Sequence, residues 1–107
     1  MIEVRDENGL TKQIKGKRKV AALFFASWCP FCRSFMSIFN KHGEKQGDTV
    51  FIKVKIDEDE NPLWETYQLN AVPSVIFFVD GQVSKRLDCK LGVGLNDHMF
   101  SQWLGTK

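Results

Sequence analysis

An unbroken apolar run, Val20-Ala21-Ala22-Leu23-Phe24-Phe25-Ala26, leads almost directly into Cys29-Pro30-Phe31-Cys32. A short stretch with no polar residue has no face to give to water. As a strand it must be covered on both sides, the situation of a parallel or mixed sheet held between helices. The residue after the first cysteine is a proline. Its missing N–H would have no partner in the first turn of a helix, so a helix starts there at no cost. The junction predicts strand, turn and helix, with two sulfurs at the helix start.

The remaining segments fit the same plan. Phe31, Phe35, Met36 and Phe39 recur at helical spacing, so they predict one apolar stripe on a helix ending near Gly43 or Gly47. Thr49 to Ile56 reads as a second central strand. Asn61-Pro62 supplies a cap and a first-turn proline for a short helix with Leu63, Trp64 and Tyr67 on its buried face. Ser74 to Val79 is a third strand, and Asp80-Gly81 is a hairpin signal. Alternation in the strand that follows puts Val83, Leu87, Cys89 and Leu91 on one face. Met99, Phe100, Trp103 and Leu104 mark a last short helix, stopped by Gly105. Met36 and Met99 read as core, and Trp64 and Trp103 as packing anchors. Before Lys19 two readings are open. Ile2 and Val4 alternate as a strand, followed either by a helix carrying Leu10 and Ile14 or by a hairpin at Asn8-Gly9. The order of elements means α/β: a mixed central sheet flanked by helices on both faces, with a parallel crossover early and an antiparallel edge late.

At 107 residues the chain is expected to form a single domain, 1–107. A domain of this size buries roughly 65% of its unfolded surface, enough for one core without staples. The net charge of +2 gives no reason to expect nucleic acid. The basic cluster Lys15-Gly16-Lys17-Arg18-Lys19 reads as a solvated connector. No apolar run approaches the ~20 residues of a membrane span. The first residues lack the basic-then-apolar layout of a secretory signal, so a cytoplasmic monomer is expected, with no membrane partner.

The three cysteines are too few, and of the wrong parity, for a disulfide scaffold. Two of them form the C-x-x-C pair. At a helix start, unpaired N–H groups and the positive end of the helix dipole favour an anion, and the thiolate is the nucleophile of disulfide exchange. Cys29 is therefore the expected attacking group, and Cys32, on the first turn of the same helix, the resolving one. A zinc site would need two further ligands, and Cys89, His42 and His98 form no second short-spaced pair, so no metal is expected. His42 and His98 read as surface residues of helices. Cys89 reads as a buried strand residue, with a regulatory or intermolecular thiol as the sharper alternative.

Phe24-Phe25-Ala26-Ser27-Trp28-Cys29-Pro30-Phe31-Cys32 resembles the active-site segment of the thioredoxin family. Lys53 to Asp57, Asn61-Pro62, Tyr67, Ala71-Val72-Pro73-Ser74 and Asp80-Gly81 resemble the family's second central strand, next helix, cis-proline loop and hairpin. The resemblance spans roughly residues 19 to 104 and implies a thioredoxin-like fold and a thiol-disulfide oxidoreductase without a bound cofactor. Its partners would be disulfide-containing client proteins and an electron donor, either a thioredoxin reductase-like protein or glutathione. It makes Trp28 the aromatic shield beside the sulfurs, and Pro30 and Phe31 the inner pair of the redox loop. Pro73 would be the cis-proline, Val72 would offer its backbone to an extended client segment, and Gly92 would belong to a third docking loop. Lys53 matches a partly buried lysine. Its usual partner, an aspartate six residues before the first cysteine, is replaced by Leu23. Lys53 is thus a candidate for moving the Cys32 proton, against the plainer reading of a lysine reaching for water. Pro30-Phe31 looks more like the glutaredoxin inner pair, which makes a glutathione-coupled reductase the second reading. A non-catalytic binding module using the Val72-Pro73 surface is a third, and an oxidant or isomerase a fourth.

Overall fold

The computed structural model describes residues 1–45 and 47–106. The apolar run is the strand β2, Lys19–Phe25, preceded by β1, Ile2–Val4, and followed by β3, Val50–Lys55, β4, Ser74–Val79, and β5, Gln82–Asp88. These strands form one sheet in the order β1-β3-β2-β4-β5. β1 and β2 run parallel to β3, while β4 is antiparallel to both β2 and β5. Central β2 is buried from Val20 onward, as its composition requires.

Four helices occur among the described residues: α1, Glu7–Ile14, α2, Pro30–Lys45, α3, Leu63–Thr66, and α4, Asp97–Leu104. The first segment is therefore strand then helix, not a hairpin at Asn8-Gly9. The Asp6 side chain accepts the Gly9 N–H at 2.7 Å and caps α1. A Cβ on Gly9 would stand 3.1 Å from the Val4 Cβ, so the glycine is there for close packing on β1. The Asn61 side chain accepts the Leu63 N–H at 3.0 Å at the start of α3. The Asn96 side chain does the same for Met99 in α4, at 2.8 Å.

Both faces of the sheet are covered. On one, Tyr67 packs on Phe24 and Phe78, with ring centroids 5.4 and 5.9 Å apart. On the other, Phe100 of α4 meets Phe35 and Phe39 of α2 and Phe51 of β3. The helix stripe is narrower than its spacing suggested. Phe35 and Phe39 are fully buried and Met36 is half-buried, but Phe31, at the helix start, is 40% exposed. α2 also runs through Gly43 to Lys45. His42 is not a free surface residue: it sits edge-on to Phe100 and bonds Asp97 at 2.7 Å, tying α2 to α4.

The hairpin turn has positive φ at Asp80 (52°) and Gly81 (83°), the geometry a two-residue Asp-Gly turn adopts. β5 departs from simple alternation. Phe77 lies opposite Lys85 but Phe78 opposite Val83, which leaves Ser84 as an extra residue. This bulge turns Val83 to the face opposite Leu87 and leaves it exposed. Leu91 lies beyond the end of β5 and is 82% exposed, so it is no part of the strand's buried face.

Candidate active site

Cys29 sits at the C-terminal end of β2, where the sheet edge and the start of α2 meet. Its backbone carbonyl accepts the Arg33 N–H at 3.2 Å, the first bond of the helix. Its sulfur accepts the Cys32 N–H at 3.4 Å. Cys29 thus occupies the position that serine or aspartate takes at a helix start, with sulfur in place of oxygen. That N–H and the positive end of the helix dipole both face the sulfur. In its protonated form the same sulfur donates to the Val72 carbonyl at 3.6 Å. Both cysteines are free thiols, Cys29 5% exposed and Cys32 1%. Burial pushes the Cys32 thiol well above its ordinary range, and the neighbouring Cys29 raises it further. Cys32 therefore keeps its proton at neutral pH.

Cys29 opens on a groove of about 280 Å³. Trp28, Pro30, Phe31, Val72 and Gly92 all line it, so the structure brings these sequence-predicted residues together around one sulfur. Val72-Pro73 is a cis peptide, and Pro73 is buried behind Val72. Trp28, Phe31 and Leu91 are exposed and give the groove an apolar rim. Lys53 stands elsewhere. It lines a separate depression of about 450 Å³ with Met1, Asn40, Gly43, Glu44 and Phe51, and neither cysteine borders that space. Leu23, its ladder partner, is fully buried.

Further residues join the site that the sequence did not place there. Trp64 and Cys89 line the groove. Asp57 lies just beyond the end of β3 and holds the redox loop. Its carboxylate accepts the Ser27 N–H at 2.8 Å and the Ser27 hydroxyl, and its carbonyl accepts the Trp28 indole N–H at 2.9 Å. Both Ser27 bonds hold the Asp57 carboxyl below the usual carboxylate range. The signal for Asp57 was its place at the C-terminal end of a central parallel strand, where loops of α/β sheets gather functional groups. Because its pKa is lowered, the clamp is intact above the ordinary carboxylate pKa and is lost only as pH falls through the depressed value. Asp57→Ala is expected to lower stability by about 0.5–1.5 kcal/mol through loss of its two hydrogen bonds from Ser27. The Trp28 indole bond should persist, because alanine keeps the backbone carbonyl that accepts it. Denaturant titration checks this, and unchanged stability would contradict the clamp. Among the described residues, no three His, Cys, Asp or Glu side chains converge in a way that could hold a metal ion, and no helix is long and apolar enough to cross a membrane.

Comparison with known proteins agrees with this geometry. The thioredoxin family model matches residues 1–99. A thioredoxin of Chlamydia pneumoniae is 35% identical over 77 residues, covering 72% of this chain and 70% of the relative. A thioredoxin of Mycoplasmoides gallisepticum is 29% identical over 86 residues, covering 80% and 85% respectively. The solved structure of Plasmodium falciparum thioredoxin superposes with a TM-score of 0.82 at 24% identity, over 97% of this chain and 96% of that one, a likeness of fold. A strand-to-helix junction that seats one sulfur as a helix cap above a second, buried thiol, in a chain with these relatives, belongs to the thioredoxin family and is a thiol-disulfide oxidoreductase.

Proposed function

We propose that the chain reduces protein disulfides through the Cys29/Cys32 dithiol, as a monomeric single domain of the cytoplasm. The observation that carries this reading is the arrangement of the pair: Cys29 borders the open groove, and Cys32 lies beneath it with its N–H 3.4 Å from the Cys29 sulfur. Cys29 attacks one sulfur of a client disulfide. The client's S–S bond breaks, a Cys29–client bond forms, and the electron pair leaves on the client's second sulfur. Cys32 then gives up its proton and attacks Cys29, which frees the client's first sulfur and closes the Cys29–Cys32 disulfide. The apolar rim of Trp28 and Phe31 supports docking of an extended client segment, with the Val72 backbone as its partner in the manner of an added strand.

The second step asks for a proton from a thiol that burial keeps protonated. The residue six before Cys29 is Leu23, which can take none, and Lys53 borders a different space. Hydroxide or a base from solvent then sets the thiolate fraction. Resolution of the mixed disulfide is expected to speed up about tenfold per pH unit across neutral pH, because the thiolate is the minor form throughout. Stopped-flow release of a chromophoric client thiol measures it. A pH-independent rate would mean that an internal base serves Cys32.

Turnover of insulin disulfides tests the function and the electron donor together. With NADPH and a thioredoxin reductase the chain should reduce insulin catalytically. Turnover with glutathione and glutathione reductase alone would favour the glutathione-coupled reading suggested by Pro30-Phe31. Failure with both donors would overturn the reductase reading.

A further inference from the structure

Cys89 has no part in the two-thiol cycle, yet the fold brings it to the groove that Cys29 borders. Two anchors hold it there. On one side, Asp88 is the ladder partner of Ser74. The next residue of the chain therefore stands beside Pro73 and Val72, whose carbonyl is 3.6 Å from the Cys29 sulfur. On the other side, Lys90 and Gly94 form a bridge. Gly94, at φ +75°, lies so close to Phe31 that a Cβ would come within 2.8 Å of the ring. The segment carrying Cys89 is thus fastened to the cis-proline strand and to the redox loop at once. Cys89 itself is half-buried, packed on the margin of the core and open to the groove. It lies just past the last ladder pair of β5 and borders the same groove as Cys29, and a disulfide between them requires their Cα atoms within about 7 Å.

We infer that Cys89 is a second resolving thiol: when Cys29 is joined to a client, the Cys89 sulfur attacks Cys29, frees the client and leaves a Cys29–Cys89 disulfide. The inference rests on the proposed attack by Cys29. The Cys29–client S–S bond breaks as the Cys29–Cys89 bond forms. The electron pair leaves on the client sulfur, which takes up a proton, and Cys89 gives one up, so no outside oxidant is needed. Electrostatics favour the timing. Burial raises the Cys89 thiol first, and charge on Cys29 adds to it. That second influence disappears once Cys29 is held in a disulfide, so Cys89 ionises more readily in the intermediate it attacks. Cys32, whose N–H touches the Cys29 sulfur, is the faster resolver in the intact protein. Cys89 serves when Cys32 is oxidised or blocked.

The test uses the full chain as C32S, C32S/C89S and C32S/C89A. Each reduced protein is treated with less than one equivalent of glutathione disulfide, and the Cys29–glutathione adduct is followed by mass spectrometry of unreduced digests. In C32S the adduct is expected to decay at least about tenfold faster than in either double variant, with a Cys29–Cys89 peptide replacing it. Equal lifetimes in all three, or decay of the C32S adduct without that peptide, would overturn the inference while leaving Cys29 as the attacking thiol. Failure of Cys29 to take up glutathione in any of the three would overturn the proposed cycle and this step with it.

Discussion

Cys29→Ser is expected to lower insulin reduction by at least about 10³-fold, to the background rate of the reductant alone, because a hydroxyl neither ionises near neutral pH nor forms a bond equivalent to a disulfide. The fold should survive the change. The serine hydroxyl can accept the Cys32 N–H as the sulfur does, and serine is a preferred residue at a helix start. It can also donate to the Val72 carbonyl. Stability by denaturant titration should therefore stay within about 0.5 kcal/mol of the parent, as for substitutions that disturb no packing. Loss of activity with stability retained places the chemistry on the sulfur. Retained activity would remove Cys29 from the mechanism.

Phe100→Ala is expected to have the largest effect on stability. Phe100 is fully buried and sits at the centre of an aromatic cluster, with ring centroids 5.2 Å from Phe35, 5.7 Å from Phe39, 5.0 Å from His42 and 6.0 Å from Trp103. It is the side chain by which α4 grips α2 and β3. Removing a buried Phe side chain costs about 3–5 kcal/mol, transfer and cavity terms together. Against a total stability of about 5–15 kcal/mol this leaves the chain marginal. Each kcal/mol corresponds to roughly 4–8 °C for a domain of this size, so a drop in Tm of at least about 12 °C is expected by calorimetry. A shift of a few degrees would mean that α4 contributes little to the core.

Much of this architecture is legible in local sequence because the determinants are themselves local. Val20 to Ala26 has no polar atom to show to solvent, so its burial on both faces follows from composition. Pro30 allows a helix to begin at only a few places, and the cysteine before it becomes the cap. Asp80-Gly81 adopts the positive φ values that its two residue types tolerate best. What stayed hidden depends on contacts between distant segments. Ser84 is inserted into β5 with nothing in its own chemistry to announce a bulge, and that one residue reverses the facing of Val83. Phe31 has the spacing of a core residue, but it lies against Gly94 at the wall of the groove and is 40% exposed. Asn8-Gly9 has the composition of a turn, and the Asp6 cap together with burial of Leu10 and Ile14 outweighs it. The site shows the same division. The pair is read from its spacing, whereas Asp57 and Cys89 reach it from 28 and 60 residues further along the chain through strand pairing alone.

The proposed cycle depends on an asymmetry between two neighbouring sulfurs, one at the wall of a groove and one sealed below it with its proton held on. Treating the reduced protein with less than one equivalent of iodoacetamide at pH 7, then mapping the labelled peptides, compares them directly. Cys29 should carry the label first, with Cys32 unmodified. Label on Cys32 at the same rate as Cys29, or ahead of it, would contradict the assignment of attacking and resolving thiols.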